Sequence, residues 1–435
     1  MLCWACLGAA PILAGQSDFG VGYSLTHETN IGRVEVSPRA EWTEALMGGF
    51  SYQENTADVS ARVLAQMERR HFVRHVYGDD TNGFLDGAGV WTIVPRQFAW
   101  TVEDTFRQVL LNITAPDTPT NRSKSNALST GPDLTVPLSS SNLVLIGGRY
   151  GRFDIQNSIN DNRRRSAYLR GVHVLSSQAT LSLNYEAGRA YFEPGGAQVF
   201  AKILREDWFG RYETRLSANS AAIDLGTSRV TRYGGPELTG RRFARLTLTE
   251  AFSSQSVLHL ALSDQYSDTY TDLIKGLTSS TAPTDVGVGG PHGPDFANGD
   301  VYRGKRGDLG YTNNDGRFGY TLQAYVRRLD FDTLPQDFHE TGGRFQWTWI
   351  YSGAMRFIAS ADYTKRTFDS FDREDKDRAL SASVAFRLNR NLTITTEGAR
   401  LERHSTVPGS SFVDNRVMLL LGYSTGPLYE AHSRR

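Results

Sequence analysis

Four groups of side chains in this sequence have types and spacings that could do covalent or metal chemistry. Gly422-Tyr423-Ser424-Thr425-Gly426 formally matches the nucleophile elbow of serine hydrolases. There a strand, a strained turn and a helix hold the serine, and an acid and a base follow later in the chain. Pro427 comes too soon for that helix, and His432 cannot be placed as the base on that plan. Cys3 and Cys6, the only cysteines, have the C-x-x-C spacing of a redox or metal pair, but their apolar N-terminal run supplies no folded context for either role. Among the histidines, which include His292 and His339, no two pair on a common strand face as a zinc site requires. His71 and His75 share strand parity but lie roughly 13 Å apart at strand rise, too far for one metal. His259 faces away from Leu258 and Leu260, a position open to a hydrolase assembled from neighbouring strands and equally to plain polar lining. Asp369, Asp372, Glu374, Asp375 and Asp377 offer the oxygens calcium prefers. They lack calcium-loop spacing, and Arg373, Lys376 and Arg378 already supply counter-charge, so they read as a solvated loop. The expectation is no catalytic residue, no metal and no cofactor.

The arginines are more informative. Only six of the 47 basic side chains are lysine, a bias that genome composition can also produce. Yet Arg33, Arg39, Arg62, Arg211, Arg215, Arg245, Arg317, Arg327, Arg344, Arg356 and Arg387 fall on the polar parity of an alternating pattern, interleaved with Glu35, Glu41, Glu103, Glu213, Asp362 and Glu397. A guanidinium is planar and permanently charged, and it can hold a carboxylate on the next strand while offering further donors to sugar hydroxyls, phosphates or carboxylates. These residues are expected to line a passage, both as ion pairs bracing its wall and as a charged eyelet.

The elements that must position them are strands. From Asp18, Phe19, Val21, Tyr23 and Leu25 alternate with Gly20, Gly22, Ser24 and Thr26, giving two unlike faces. Val34, Val36, Pro38, Ala40 and Trp42 then alternate with Arg33, Glu35, Ser37, Arg39 and Glu41, which predicts a second strand. The device recurs to the end of the chain. In Phe345, Trp347, Trp349 and Tyr351 the apolar row is wholly aromatic, as in the girdle of a membrane barrel at a water interface. Connections alternate between short and long, the long ones including Asn112 to Ser125 and Tyr270 to Gly299, which is the plan of short periplasmic turns and long external loops. No later stretch is apolar enough for a spanning helix. The pattern predicts an all-β fold: a single transmembrane, antiparallel, up-and-down β-barrel of about 20 strands, with 18 as the alternative. Unequal loops argue against a solenoid, and the absence of a linker argues against a multidomain sandwich.

Formal charge balances, with 47 acidic residues against 47 basic, so no footprint for nucleic acid exists at the level of the chain. Leu2 to Ala14 has the apolar core of a secretory signal but no positive n-region. Residues 1–15 are expected to be a truncated signal peptide, 18–423 the barrel, and 424–435 a periplasmic tail. Met418 and Leu420 make the final strand apolar on both faces, which a wide aqueous lumen would not require.

Two stretches, Phe84 to Val109 and Ser129 to Ile155, carry a resemblance. Phe84-Leu85-Asp86-Gly87-Ala88 and Ile93-Val94-Pro95-Arg96-Gln97-Phe98-Ala99-Trp100-Thr101-Val102-Glu103-Asp104, followed by Ser129-Thr130-Gly131-Pro132 and Val136-Pro137-Leu138, resemble a group of outer-membrane β-barrel porins associated with exopolysaccharide biosynthesis and the exosortase system. The resemblance implies a place in the outer membrane of a Gram-negative cell and a polysaccharide-linked transport role, with no catalytic motif. Expected partners are outer-membrane lipid and lipopolysaccharide, with polysaccharide and periplasmic export components as further ones. The function expected is a porin-type channel for hydrophilic solute, possible cargo including exopolysaccharide. The alternatives are an outer-membrane hydrolase or deacylase acting on lipid or polysaccharide, and a plugged structural or adhesive barrel.

Overall fold

The computed structural model describes residues 15–156, 161–192, 202–233, 238–279, 301–331 and 336–426. The wall begins with β1 (Gln16–Glu28), β2 (Glu41–Asn55), β3 (Val59–Phe72), β4 (Asp80–Val94) and β5 (Phe98–Leu110). It continues through β6 (Arg122–Pro137), β7 (Asn142–Ile155), β8 (Asn162–Val174), β9 (Ala179–Phe192) and β10 (Lys202–Leu216), then β11 (Asn219–Arg232), β12 (Leu238–Ala251) and β13 (Ser256–Ser267). A helix, α1 (Thr269–Ser279), separates β13 from β14 (Tyr302–Asn314). The last strands are β15 (Phe318–Phe331), β16 (Phe338–Ile350), β17 (Met355–Phe368), β18 (Arg373–Arg387), β19 (Leu392–Ser405) and β20 (Phe412–Ser424).

These strands form one 20-stranded sheet in which each pairs antiparallel with its chain neighbour. β20 pairs with β1 in a register running from Gly20↔Ser424 to Glu28↔Arg416, so the sheet closes on itself. Closure leaves no edge whose N–H and C=O groups lack partners, the condition for crossing hydrocarbon with strands. No helix among the described residues is long and apolar enough to cross a membrane. Both described ends of the chain lie at the short-turn end of the barrel, because β1 starts there and β20 finishes there.

Alternation sorts the side chains. On β1, Phe19, Val21 and Tyr23 are exposed while Gly20, Gly22 and Ser24 are buried toward the interior. The outward row stays apolar at mid-height: Leu183 is 75% exposed and Leu225 is 60% exposed, a hydrocarbon-facing belt. Near the short turns this belt ends in rings. Trp349 stacks on Phe318, Trp347 and Phe357 and meets Tyr351 edge-on. One of the short turns shows why its residues are there. Gly316 has φ of 85°, Asn314 Oδ1 accepts its N–H at 3.0 Å, and Asp315 Oδ1 accepts that of Arg317 at 3.0 Å.

Several expectations need correction. The run from Arg33 to Trp42 is strand only from Glu41. Arg33 and Ser37 take positive φ of 48° and 58°, and Asn30 bonds Val34 through both its amide groups, folding the segment into a loop. An apolar/polar alternation can be satisfied by a loop lying over a polar rim, and this one is. Arg317 sits in the short turn before β15 rather than on the wall. His75 is not on a strand: φ of 54° turns the chain so that its ring meets His71 at 5.7 Å, much closer than the extended spacing. His71 Nδ1 is 3.0 Å from Asp79, whose carboxyl is held below its usual range chiefly by that contact. The acidic cluster is not one loop. Asp375 and Asp377 face inward on β18, Glu374 faces outward between Lys365 and Lys376, and Asp369 pairs with Arg328. The Tyr270 to Gly299 connection, expected to lie wholly outside, begins as α1 and turns into the barrel; residues 280–300 are outside the described set.

The face assignment can be tested by charge. Leu225→Arg, at the middle of an outward row, should weaken insertion by about 2 to 4 kcal/mol. Arg387→Ser, on the inward row of β18, should insert like the parent. Folded fractions in lipid vesicles across a urea series would read both, and equal behaviour would reverse the assignment.

Candidate pore constriction

The interior is lined by charge in pairs. Of the residues singled out from sequence, Arg62, Glu103, Arg211, Glu213, Arg215, Arg245, Arg327, Arg344, Arg356, Asp362, Arg387 and Glu397 stand on inward rows. Arg211 is 3.1 Å from Glu213, Arg245 is 2.8 Å from Asp224, and Arg344 pairs with Asp362 across the β16–β17 seam. Glu397 takes Arg416 at 2.7 Å. Glu41 is also inward, but its carboxylate accepts the N–H groups of Arg74 at 2.8 Å and Val76 at 2.9 Å, holding the β3–β4 loop rather than meeting the lumen. Arg33, Glu35 and Arg39 belong to the β1–β2 loop. There Arg33 is 3.5 Å from Asp117 and Glu35 accepts Gly409 N–H at 2.8 Å.

Sequence reasoning missed other members of this lining. Glu340, 1% exposed, is gripped by Arg327 at 2.9 Å and Arg366 at 2.5 Å. Asp133 accepts from Arg149 at 2.8 Å, Thr101 at 2.6 Å and Tyr168 at 2.5 Å. Arg107 Nη2 reaches both Asp86 carboxylate oxygens, at 2.9 and 3.0 Å. Parity would have found each of them, because all occupy the inward rows once the register is known.

Helix α1 is what narrows the interior. Asp268 caps its first turn, with Thr271 N–H at 3.0 Å and Thr271 Oγ1 at 2.8 Å from the carboxylate. The same carboxylate meets Arg164 of β8 at 2.8 Å, and the guanidinium pair with Arg164 helps hold its pKa below the usual range despite burial. Arg164 also lies 4.5 Å over the Tyr270 ring. The Tyr270 hydroxyl donates to Leu128 O on β6 at 3.0 Å, so a helix that starts at β13 is anchored on β6 and β8. It can approach that closely because residue 151 is glycine: a Cβ there would overlap the Tyr270 hydroxyl. Asp272 faces the other way, 2.6 Å from Arg306 of β14. Ala127, Phe153 and Ile155 receive Tyr270, Leu273 and Ile274 as an apolar seat.

Beside α1 lies a cavity of about 290 Å³ whose lining includes Lys275, Arg149, Arg205, Glu103, Glu186 and Asp207. Burial, then Arg205 and Arg245, push the Lys275 ammonium down to about 8. At the long-loop mouth a second element reaches across. Ile113, from the loop after β5, packs with Tyr302, Leu329, Phe331, Phe338 and Phe368 of β14–β17 on the opposite wall. At the other end the interior opens into a vestibule of about 480 Å³ lined by Arg356, Arg387, Arg390, Asn391, Thr393, Thr395 and Ser424, with no carboxylate among the described residues of the lining.

Among the described residues the covalent and metal candidates do not assemble. Ser424 ends β20, and its hydroxyl donates to Gly426 O at 2.5 Å with no helix after it among the described residues. His259 faces inward on β13, where Nδ1 meets Thr249 Oγ1 at 3.2 Å and no carboxylate among the described residues is bonded to the ring. No group of three metal-ligating side chains occurs among the described residues. Cys3, Cys6, His292 and His432 lie outside them.

No curated protein matches the chain. Among solved structures it is similar to the FrpB iron transporter from Neisseria meningitidis (F3-3 variant), with TM-score 0.48 and 9% identity over 94% of this chain and 81% of that one. It is similar to the siderophore receptor PirA from Pseudomonas aeruginosa, with TM-score 0.44 and 12% identity over 94% and 80%. For Pseudomonas aeruginosa OccK2 (OpdF) in complex with glucuronate the values are 0.39 and 9% over 95% and 99%. Residues 353–423, which run from the β16–β17 turn through most of β20, match the family model described as "Putative beta-barrel porin 2".

Proposed function

We propose that this barrel is an outer-membrane channel for small hydrophilic anions, with α1 and the loop carrying Ile113 setting its aperture. The observation that carries the reading is the clustering of arginine at the short-turn end of the interior. The vestibule there is lined by Arg356, Arg387 and Arg390, and no acid among the described residues lines it. Lys275 adds a cation at the narrowed level. A low-dielectric wall focuses such fields, so local charge governs selectivity although the chain as a whole is neutral. Short turns then face the periplasm and long loops the exterior. Acidic sugar units are the cargo this chemistry would take, and the sequence resemblance supports a link to exopolysaccharide. A plugged barrel is the second reading, favoured by the two elements that reach across from opposite walls.

In planar bilayers the purified protein is expected to give conductance steps that prefer anions at low salt and lose the preference at high salt. Replacing Arg356, Arg387 and Arg390 with Gln should move selectivity toward cations. Absence of any step would favour the plugged reading.

Selectivity should also titrate. Lys275 carries its charge below a pKa of about 8 and loses it above, so anion preference should fall between pH 7 and pH 9, where roughly one in ten of these amines stays protonated. Lys275→Gln should flatten that step; a step that persists in the variant would remove Lys275 from the account.

The helix itself can be displaced. Tyr270→Phe removes one hydrogen bond, about 1 kcal/mol, and should leave conductance close to that of the parent because Asp268 and Asp272 still hold α1. Gly151→Val puts carbon where the Tyr270 hydroxyl sits and should enlarge the conductance step. An unchanged step in Gly151→Val would mean that α1 does not limit the passage.

A further inference from the structure

The outward rows carry cations near the long-loop end, and many of them have an acid beside them. Arg303 is 2.7 Å from Asp264, Arg328 is 2.7 Å from Asp330, and Arg400 is 2.5 Å from Glu402. Like charges placed directly opposite each other on neighbouring strands repel, and at two other places where the register sets cations opposite one another an acid intervenes. Lys365 lies opposite Lys376 on the outer face, and Glu374 reaches them at 2.8 and 2.9 Å. Arg306 lies opposite Arg327 on the inner face, and Asp272 and Glu340 take them at 2.6 and 2.9 Å.

The β8–β9 seam departs from this rule. Arg165 is directly opposite Arg189 on the outward face. Among the described residues no carboxylate meets either one, and Arg189 donates only to the Tyr191 hydroxyl at 3.3 Å. Tyr150 stands opposite Arg165 on the other side, on β7. The pair sits three or four residues from the long-loop ends of its strands. Toward the short turns its rows continue as Ala167, Leu169 and Gly171 beside Ala187, Tyr185 and Leu183, which face hydrocarbon. That depth is where the polar headgroups of the outer leaflet begin, and arginine stems along the wall can hold their guanidiniums at it.

The geometry points to a phosphate-bearing lipid headgroup as the occupant of the Arg165–Arg189 pair. A phosphate monoester carries close to two negative charges and three acceptor oxygens, so one group can bridge two guanidiniums and turn their mutual repulsion into two charge-assisted contacts. A lipid phosphate is presented at this depth by the membrane itself, whereas free phosphate would have to leave water for the edge of the apolar belt.

The test uses the purified full-length barrel in neutral detergent, titrated with short-chain phosphatidic acid, with the phosphocholine lipid of the same chains, and with inorganic phosphate. Phosphatidic acid should bind at least tenfold more tightly than the phosphocholine lipid, and rising salt should erode that difference. Arg165→Gln/Arg189→Gln should abolish the preference while keeping the mobility of a folded barrel in cold detergent gels. Arg189→Gln alone, which relieves the repulsion and leaves one cation, should fold and lose most of it. Equal binding of the two lipids by the parent, or an undiminished preference in these variants, would overturn the proposal. So would displacement of phosphatidic acid by inorganic phosphate at equal concentration, which would assign the pair to free phosphate instead.

Discussion

A strand offers only two faces, and in a closed sheet that crosses a membrane one of them meets hydrocarbon along most of its height. Every other property of this molecule follows from that division. Backbone polar groups are spent on neighbouring strands, so nothing irregular can lie on the outer face at mid-depth. Side chains that need water or a counter-ion must go inward or to the rims. The outer rows accordingly run Phe19, Val21, Tyr23 on β1 and Val417, Leu419, Leu421 on the adjoining β20, while their inward neighbours are Gly22, Ser24, Arg416 and Glu397.

Charge confined to one side of a thin wall has to be organised there. A guanidinium withdrawn from water is costly unless a carboxylate replaces the lost hydration. The interior solves this by pairing across seams, as Arg245 does with Asp224 and Arg403 with Asp377 at 2.6 Å. The chain that enters the lumen obeys the same rule: α1 is fixed by two acids of opposite orientation, Asp268 toward β8 and Asp272 toward β14. The mouth uses apolar contacts instead, with Ile113 seated among side chains of β14–β17. Arg165 and Arg189, which no carboxylate among the described residues meets, therefore stand out from the pairing seen elsewhere in the wall.

Much of this was legible from period two alone. The twenty strands, the alternation of short and long links and the inward face of Arg344, Arg356 and Glu397 all follow from side-chain parity, which needs no partner to be visible. What stayed hidden depends on where the chain bends. Arg33 to Ala40 alternates like a strand, but positive φ at Arg33 and Ser37 makes it a loop. His71 and His75 meet because the backbone turns between them. The helix after β13 was hidden for a different reason: Thr269 to Ser279 is short and polar enough to read as loop, and only its capping Asp268 marks a helical start. The pairing of Asp133 with Arg149 and Tyr168 joins three strands and cannot be read from any one of them.

The seam between β1 and β20 bears on how such a wall can be assembled. Every other interface joins strands that follow one another in the chain and can form as hairpins, whereas this one brings together residues 406 apart, as in the bond from Phe19 N to Thr425 Oγ1. Bringing such ends together from an unstructured chain would cost about 3 kcal/mol more loop entropy than closing a single hairpin. Hairpins formed earlier shorten the effective loop, so the seam is placed last in the order of events. Until it forms, β1 and β20 are two open edges, each a template for a neighbouring chain. Ring closure is thus the step that removes the only unprotected backbone in the sheet, and a chain stalled before it is the species that a cell has to keep from associating.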